Sequence, residues 1–143
     1  MELTAQEQAF IGQHPAAAMI TVGKDGFAKS ARVGVAVVDG KIWSSGTAAR
    51  VRTRRLRRDP RASLFVFDGT GFGWLGIDAT VSILDGADAP GRNLRLMRQM
   101  QGRPTGRVSW FDGELDEAAF LDAMVAEGRL IYEFDVQRTY GPA

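Results

Sequence analysis

The period of the apolar positions changes several times along the chain, and each change marks an element. Ala17–Val22 is a short apolar run of strand length. Val33, Val35 and Val37 alternate with Arg32, Gly34 and Ala36, which predicts one strand from about Ala28 to Val38. Lys24-Asp25-Gly26 before it and Asp39-Gly40 after it carry the Asp-Gly chemistry of hairpin turns. Lys41–Ser45, Ala62–Asp68, Gly73–Leu84 and Arg129–Tyr140 read as further strands, and Gly69–Gly71 as a turn.

Helical spacing shows in four places. Thr4 and Glu7 form a capping box ahead of Phe10 and Ile11, and His14-Pro15 ends that helix. Val51 and Leu56, five apart, predict a helix pinned to the core by both and stopped at Asp59-Pro60. Asp88 and Pro90 open a third helix with Leu94, Met97 and Met100 on its apolar face. Asp116–Glu127 gives a fourth, with Phe120, Met124 and Val125 inward and Gly128 as its stop. Gln101–Ser109 reads as loop. Six strands in one small domain spanning residues 1–143 leave too many bare edges for a flat open sheet. The expected fold is therefore mainly β, a barrel with peripheral helices.

Composition narrows the chemistry. The chain has no cysteine and one histidine, which excludes disulfides, thiol catalysis, sulfur-built zinc sites and a multi-histidine metal centre. No apolar run is long enough to span a bilayer, and the polar, acidic start is unlike a signal peptide, so a cytoplasmic protein is expected. The net charge of +1 implies no general attraction to nucleic acid or membrane.

Against that neutral background, Arg50–Arg61 holds seven arginines. A guanidinium is a planar fork that fits phosphate or carboxylate oxygens two at a time, and a helix start adds free N–H groups. An anion pocket is one reading, with Ser45 and Thr47 just upstream as hydroxyl donors. A solvated basic face with ordinary salt bridges is another. Nucleic acid is a third, which the lack of further basic surface and of interleaved aromatics disfavours.

Order and motifs together resemble a known family. Leu56-Arg-Arg-Asp-Pro-Arg-Ala-Ser63, Trp74, Phe120-Leu-Asp-Ala-Met-Val125 and Val136-Gln-Arg-Thr-Tyr-Gly141 follow one another as in the pyridoxamine 5′-phosphate oxidase-like split-barrel proteins. More narrowly, the chain resembles the B group of the flavin/deazaflavin oxidoreductases, which bind F420. The resemblance implies an FMN-binding split β-barrel that works as a homodimer on a small-molecule substrate, with cofactors in grooves at the dimer interface. The implied reaction is two-electron reduction by the bound deazaflavin. An FMN-binding oxidoreductase or oxidase, and less so a haem-binding protein without catalysis, remain alternatives of the same fold. The resemblance implies that the basic helix and the loop before it hold the cofactor's phosphate and oligoglutamate tail: Arg50 and Arg52 fall where the family places its phosphate-binding basic residues, Thr53 matches the threonine between them, and Arg55 the polar residue that follows. Arg52 stands where lysine is common there, and Arg55 where asparagine is. Ser30 and Arg32 fall on the strand that contacts the cofactor ring, and Trp74 where a partner chain's residue flanks it. His14 is the one imidazole available to haem iron. No side chain is singled out as catalytic.

Overall fold

Asp25-Gly26 and Asp39-Gly40 fold the first half of the chain as the turn chemistry requires. Gly26, Asp39 and Gly40 all adopt positive φ (81°, 50° and 80°). In the computed structural model, which describes residues 1–143, helix α1 (Ala5–Gln13) leads into β1 (Ala16–Val22) and β2 (Ala28–Gly34). These are followed by β3 (Ala36–Val38), β4 (Lys41–Thr47), α2 (Val51–Arg58), β5 (Arg61–Phe67) and β6 (Trp74–Leu84). Then come α3 (Ala89–Gln101), β7 (Val108–Trp110), β8 (Gly113–Leu115), α4 (Glu117–Ala126) and β9 (Arg129–Tyr140). Seven strands form one antiparallel sheet in the order β2-β1-β5-β6-β9-β4-β3, and β7 and β8 form a separate hairpin. No helix is long and apolar enough to cross a membrane.

The single strand expected from Ala28 to Val38 is broken at Val35. β2 pairs with β1 and β3 with β4, at opposite edges of the sheet. The chain thus steps from one edge to the other within two residues, and this can happen only if the sheet curls until its edges meet. Val35 sits at that seam, its side chain buried and its N–H donating to the Pro15 carbonyl at 2.7 Å. The alternating valines mark strand on both sides of the seam. Periodicity carries no information about which neighbour each half pairs with.

Inward residues of the curled sheet, including Met19, Ile42, Leu64, Val66, Ile77, Leu130, Tyr132 and Phe134, make the main core, and Ile11 of α1 packs into it. A second cluster, Trp43, Leu96 and Ile131 among it, seats α3 on the outer side of β4 and β9. A third, Leu94, Val108, Phe120 and Met124, holds α4 and the β7-β8 hairpin to α3.

Several sequence expectations are corrected. Val51 is 52 % exposed, and Thr53 and Leu56, three apart, form the buried face of α2. Thr53 takes that place because its hydroxyl is satisfied there. Val125 is exposed, since the i, i+4 pair Phe120 and Met124 already fills the inner face of α4. Asp88 stands at the start of α3 without capping it, and its carboxylate lies 3.9 Å from Arg92. Val108 and Ser109, read as loop, belong to β7; its turn puts Phe111, and not Gly113, at positive φ (53°). The capping box of α1 forms as expected.

Gly46 of β4 leaves room for a buried aromatic ring. A Cβ there would lie 2.3 Å from the Tyr132 ring, so β4 must carry glycine for that ring to lie where it does. Gly46→Ala is expected to lower unfolding free energy by about 1–3 kcal/mol through overpacking. Urea denaturation measures this, and an unchanged midpoint would mean that the ring has room to move.

Candidate functional site

β4 delivers the chain to α2 through Arg50, the residue at the helix's N-cap, whose backbone is extended and whose side chain makes no cap bond. That side chain is therefore free to face outward. With Thr53 and Leu56 buried, the helix's geometry puts Arg52 and Arg55 on the flank of the buried stripe, half-buried and turned toward β1 and β2. The result is an open cleft of about 500 Å³, floored by Met19 and Thr21. Ala28, Lys29, Ser30 and Ala31 form one wall, and Arg50, Val51, Arg52 and Arg55 the other.

The arginines of the run divide by what they touch. Arg57 pairs with Asp85 at 3.1 Å and Arg61 with Asp59 at 2.8 Å. The Arg61 guanidinium holds the Asp59 carboxyl at a pKa of about 2. Arg54 and Arg58 donate to the carbonyls of Ala49 and Val22. Arg50, Arg52 and Arg55 pair with no carboxylate at all. Arg52 is the most constrained of them, its Nε buried without a partner. Burial pulls its pKa below the usual arginine value, the Tyr132 hydroxyl opposes that fall, and the Arg50 charge adds to it. Arg54 and Arg58 also lack a carboxylate, so five of the run's seven arginines have none, and of these Arg50, Arg52 and Arg55 line the cleft.

A second basin of about 550 Å³ adjoins the cleft, lined by Lys24, Asp25, Arg54 and Arg58 and sharing Lys29, Val51 and Arg55 with it. Lys29 is tied to Asp25 at 3.0 Å. On the other side, Ser30 and Ala31 also border a depression of about 310 Å³ with Ala16, Ala17, Ala18, Arg32 and Phe67. A basic trough, the arginine cleft and an apolar shelf thus lie in sequence along one surface.

Of the residues singled out from sequence, the structure brings Ser30, Arg50, Arg52 and Arg55 together in the cleft, and places Arg32 on the shelf. Thr53 lies beneath, wholly buried. Its hydroxyl donates to the Thr47 carbonyl at 2.7 Å and meets the Tyr132 hydroxyl. Ser45 donates to Asn93 of α3 at 2.5 Å, because β4 turns Ile42 into the barrel and Trp43 and Ser45 the other way. Thr47 meets the site through its backbone carbonyl, and its side chain does not line the cleft. Trp74 stands apart on the outer face of the sheet, beside Phe65 (5.7 Å) and Tyr140 (6.0 Å). His14 packs against Phe10, away from the cleft. Lys29 and Tyr132 were missed. For Tyr132 the available signal was a tyrosine at an inward strand position, where its O–H must find a partner.

Residues 3–139 match the family model described as pyridoxamine 5′-phosphate oxidase. Among solved structures, a conserved hypothetical protein from Mycobacterium tuberculosis is 24 % identical, with TM-score 0.75 over 99 % of this chain and 84 % of its own. A protein named F420 reductase is 15 % identical, with TM-score 0.69 over 96 % of this chain and 98 % of its own. A protein related to general stress protein 26, of the pyridoxinephosphate oxidase family, from Clostridium acetobutylicum is 14 % identical. Its TM-score is 0.64 over 96 % of this chain and 85 % of its own. At these identities the likeness is one of fold. No curated protein matches the chain in sequence.

Unneutralised arginines at an open cleft make any phosphate-bearing ligand's affinity sensitive to screening. FMN binding is expected to weaken steadily as salt rises from about 0.05 to 0.5 M. A dissociation constant flat across that range, read by fluorescence titration, would count against ionic recognition.

Proposed function

Because the chain belongs to the pyridoxamine 5′-phosphate oxidase family, whose members are flavin-binding oxidoreductases, we propose that it is an oxidoreductase whose cofactor is the deazaflavin F420. The observation that carries this reading is that three of the run's arginines without carboxylate partners, Arg50, Arg52 and Arg55, converge with Ser30 on one cleft. The buried, unpartnered Arg52 Nε and the charge around it fit a phosphate. The apolar shelf of Ala16, Ala18 and Phe67 fits a planar ring, with the Ser30 hydroxyl and Arg32 at its margin. The basic basin of Lys24, Arg54 and Arg58 has no role for FMN, which ends at its phosphate, whereas the glutamate tail of F420 gives these cations carboxylates to bind.

When bound in reduced form, the deazaflavin supplies a hydride to a small conjugated substrate. The chain's own work is to bind and to orient. Arg50, Arg52 and Arg55 would hold the phosphate, the apolar shelf would receive the ring, and Ser30, which lines both, would offer a hydrogen bond.

The same reading includes a homodimer. Phe65, Phe67 and Tyr140 are 37 %, 49 % and 47 % exposed, and with Trp74 they form an aromatic strip on the outer sheet face, continuous with the shelf through Phe67. A second copy over that strip would bury it and bring Trp74 of one protomer toward the other's ring site. Sedimentation at micromolar concentration is expected to give twice the 15.6 kDa chain mass. Phe67→Glu is expected to shift it toward monomer, and a wild type that sediments only as monomer would remove the dimer.

Substitution separates the cofactors. Arg52→Ala is expected to weaken both FMN and F420 about tenfold to a hundredfold, while Arg57→Ala, paired to Asp85, leaves both nearly unchanged. Arg58→Ala is expected to weaken F420 alone, roughly two- to fivefold. Equal affinity of wild type and Arg52→Ala would end the phosphate assignment. An Arg58→Ala effect on FMN as large as that on F420 would end the tail assignment, and tighter wild-type binding of FMN than of F420 would favour a flavin enzyme.

A further inference from the structure

We propose that Asp25 is a positioning residue of the anion cleft that acts through Lys29: its carboxylate holds the lysine back from the ligand and keeps one cation of the cleft wall out of use. This rests on reading the cleft as a phosphate site. Lys29 belongs to the cleft by its place in the sheet. It is in register with Thr21, which lies on the cleft floor, and it stands in the wall beside Ser30. Its ammonium group, however, lies 3.0 Å from Asp25 Oδ2. Asp25 lines the neighbouring basin and does not line the cleft. The lysine stem thus starts at the cleft, and its charge is drawn off toward the β1–β2 turn.

The turn fixes the carboxylate before the lysine reaches it. Asp25 Oδ1 accepts from the Phe27 N–H at 3.0 Å, which leaves Oδ2 to Lys29. Gly23 clears the space for both. A Cβ there would lie 2.9 Å from Asp25 Oδ1 and 2.9 Å from the Lys29 Cε. The ammonium group also stands 5.8 Å from the centre of the Phe27 ring, a second attraction on the same side. Asp25 is the one carboxylate among the residues that line the cleft and the basin, so the lysine has no rival anion in the empty site. A phosphate held by Arg50, Arg52 and Arg55 gains Lys29 only by breaking this pair. The pair is exposed and therefore weak, which makes the mask a modest one. Its effect is to hold the affinity for phosphate below what the cations of the two walls together would give.

The test is Asp25→Asn, alone and combined with Lys29→Met, titrated at low salt with FMN and with riboflavin, which has the ring and lacks the phosphate. Asparagine keeps an oxygen for the Phe27 N–H and so keeps the turn, and methionine keeps an unbranched stem across Gly23. Asp25→Asn is expected to tighten FMN roughly two- to fivefold, the size of one exposed ion pair, and to leave riboflavin unchanged. In the Lys29→Met background the gain is expected to vanish. Asp25→Ser, which also suits the turn, is expected to give the same gain if Asp25→Asn does not fold. A gain that persists undiminished without Lys29 means that Asp25 repels the ligand directly, and it overturns the mask. So does a loss of FMN affinity in Lys29→Met larger than the Asp25→Asn gain, since the lysine would then already serve the ligand in the wild type. Equal shifts for FMN and riboflavin report a change of cleft shape and overturn it as well. FMN affinity unchanged in Asp25→Asn but lowered in Arg52→Ala removes the mask and leaves the phosphate site standing. A wild type that binds FMN no better than riboflavin overturns both.

Discussion

One hydroxyl, that of Thr53, ties the arginine helix to the barrel. It is the polar group on the helix's buried face, and it is satisfied on both sides, by the Thr47 carbonyl at the end of β4 and by Tyr132 from β9. Without such partners a buried hydroxyl costs about 1–3 kcal/mol, enough to favour rotating the helix until Val51 went in. With them, the helix is rotated so that Leu56 anchors it and Arg52 and Arg55 fall along the cleft. The direction in which the cationic groups point is thus decided by a neutral contact beneath them.

The seam at Val35 has an equally wide effect. Because β2 and β3 are consecutive in the chain yet sit on opposite edges of the sheet, the curl that joins them brings β2 round to face α2 across the cleft. Ser30 and Lys29 reach the site only through that curl. Cleft and barrel are therefore one construction: the sheet's closure makes one wall, and the helix that follows β4 makes the other.

Local chemistry was legible in the sequence where it is self-contained. Asp-Gly turns, the Thr4–Glu7 box and the Asp59-Pro60 stop fix their own geometry within a few residues. The arginine run was visible as charge, and Arg50, Arg52 and Arg55 do meet Ser30. What the sequence hid is long-range. Nothing near Thr53 announces Tyr132, which lies 79 residues away. Hydropathy favoured Val51 over Thr53 because a hydrophobicity scale cannot see a partner. Ser45 and Thr47 were placed near the right helix, but the period-two alternation of β4 turns the Ser45 hydroxyl toward α3. The β7–β8 hairpin was missed although Asp112-Gly113 stands at its turn, where Phe111 and not a glycine takes the positive φ.

The sorting of arginines into paired and unpaired has a thermodynamic consequence. The Arg50 charge acts against that of Arg52, which also has part of its hydration stripped away; Arg55 lines the same cleft. The free chain therefore folds against a charge conflict that the unfolded chain, with its arginines spread through water, does not feel. An anion that settles among the three removes that conflict, so folding and binding are linked: part of the ligand's affinity is relief of strain already stored in the fold. Under the proposed function, the cofactor-free chain is the less stable species and the one that local opening and proteolysis reach first.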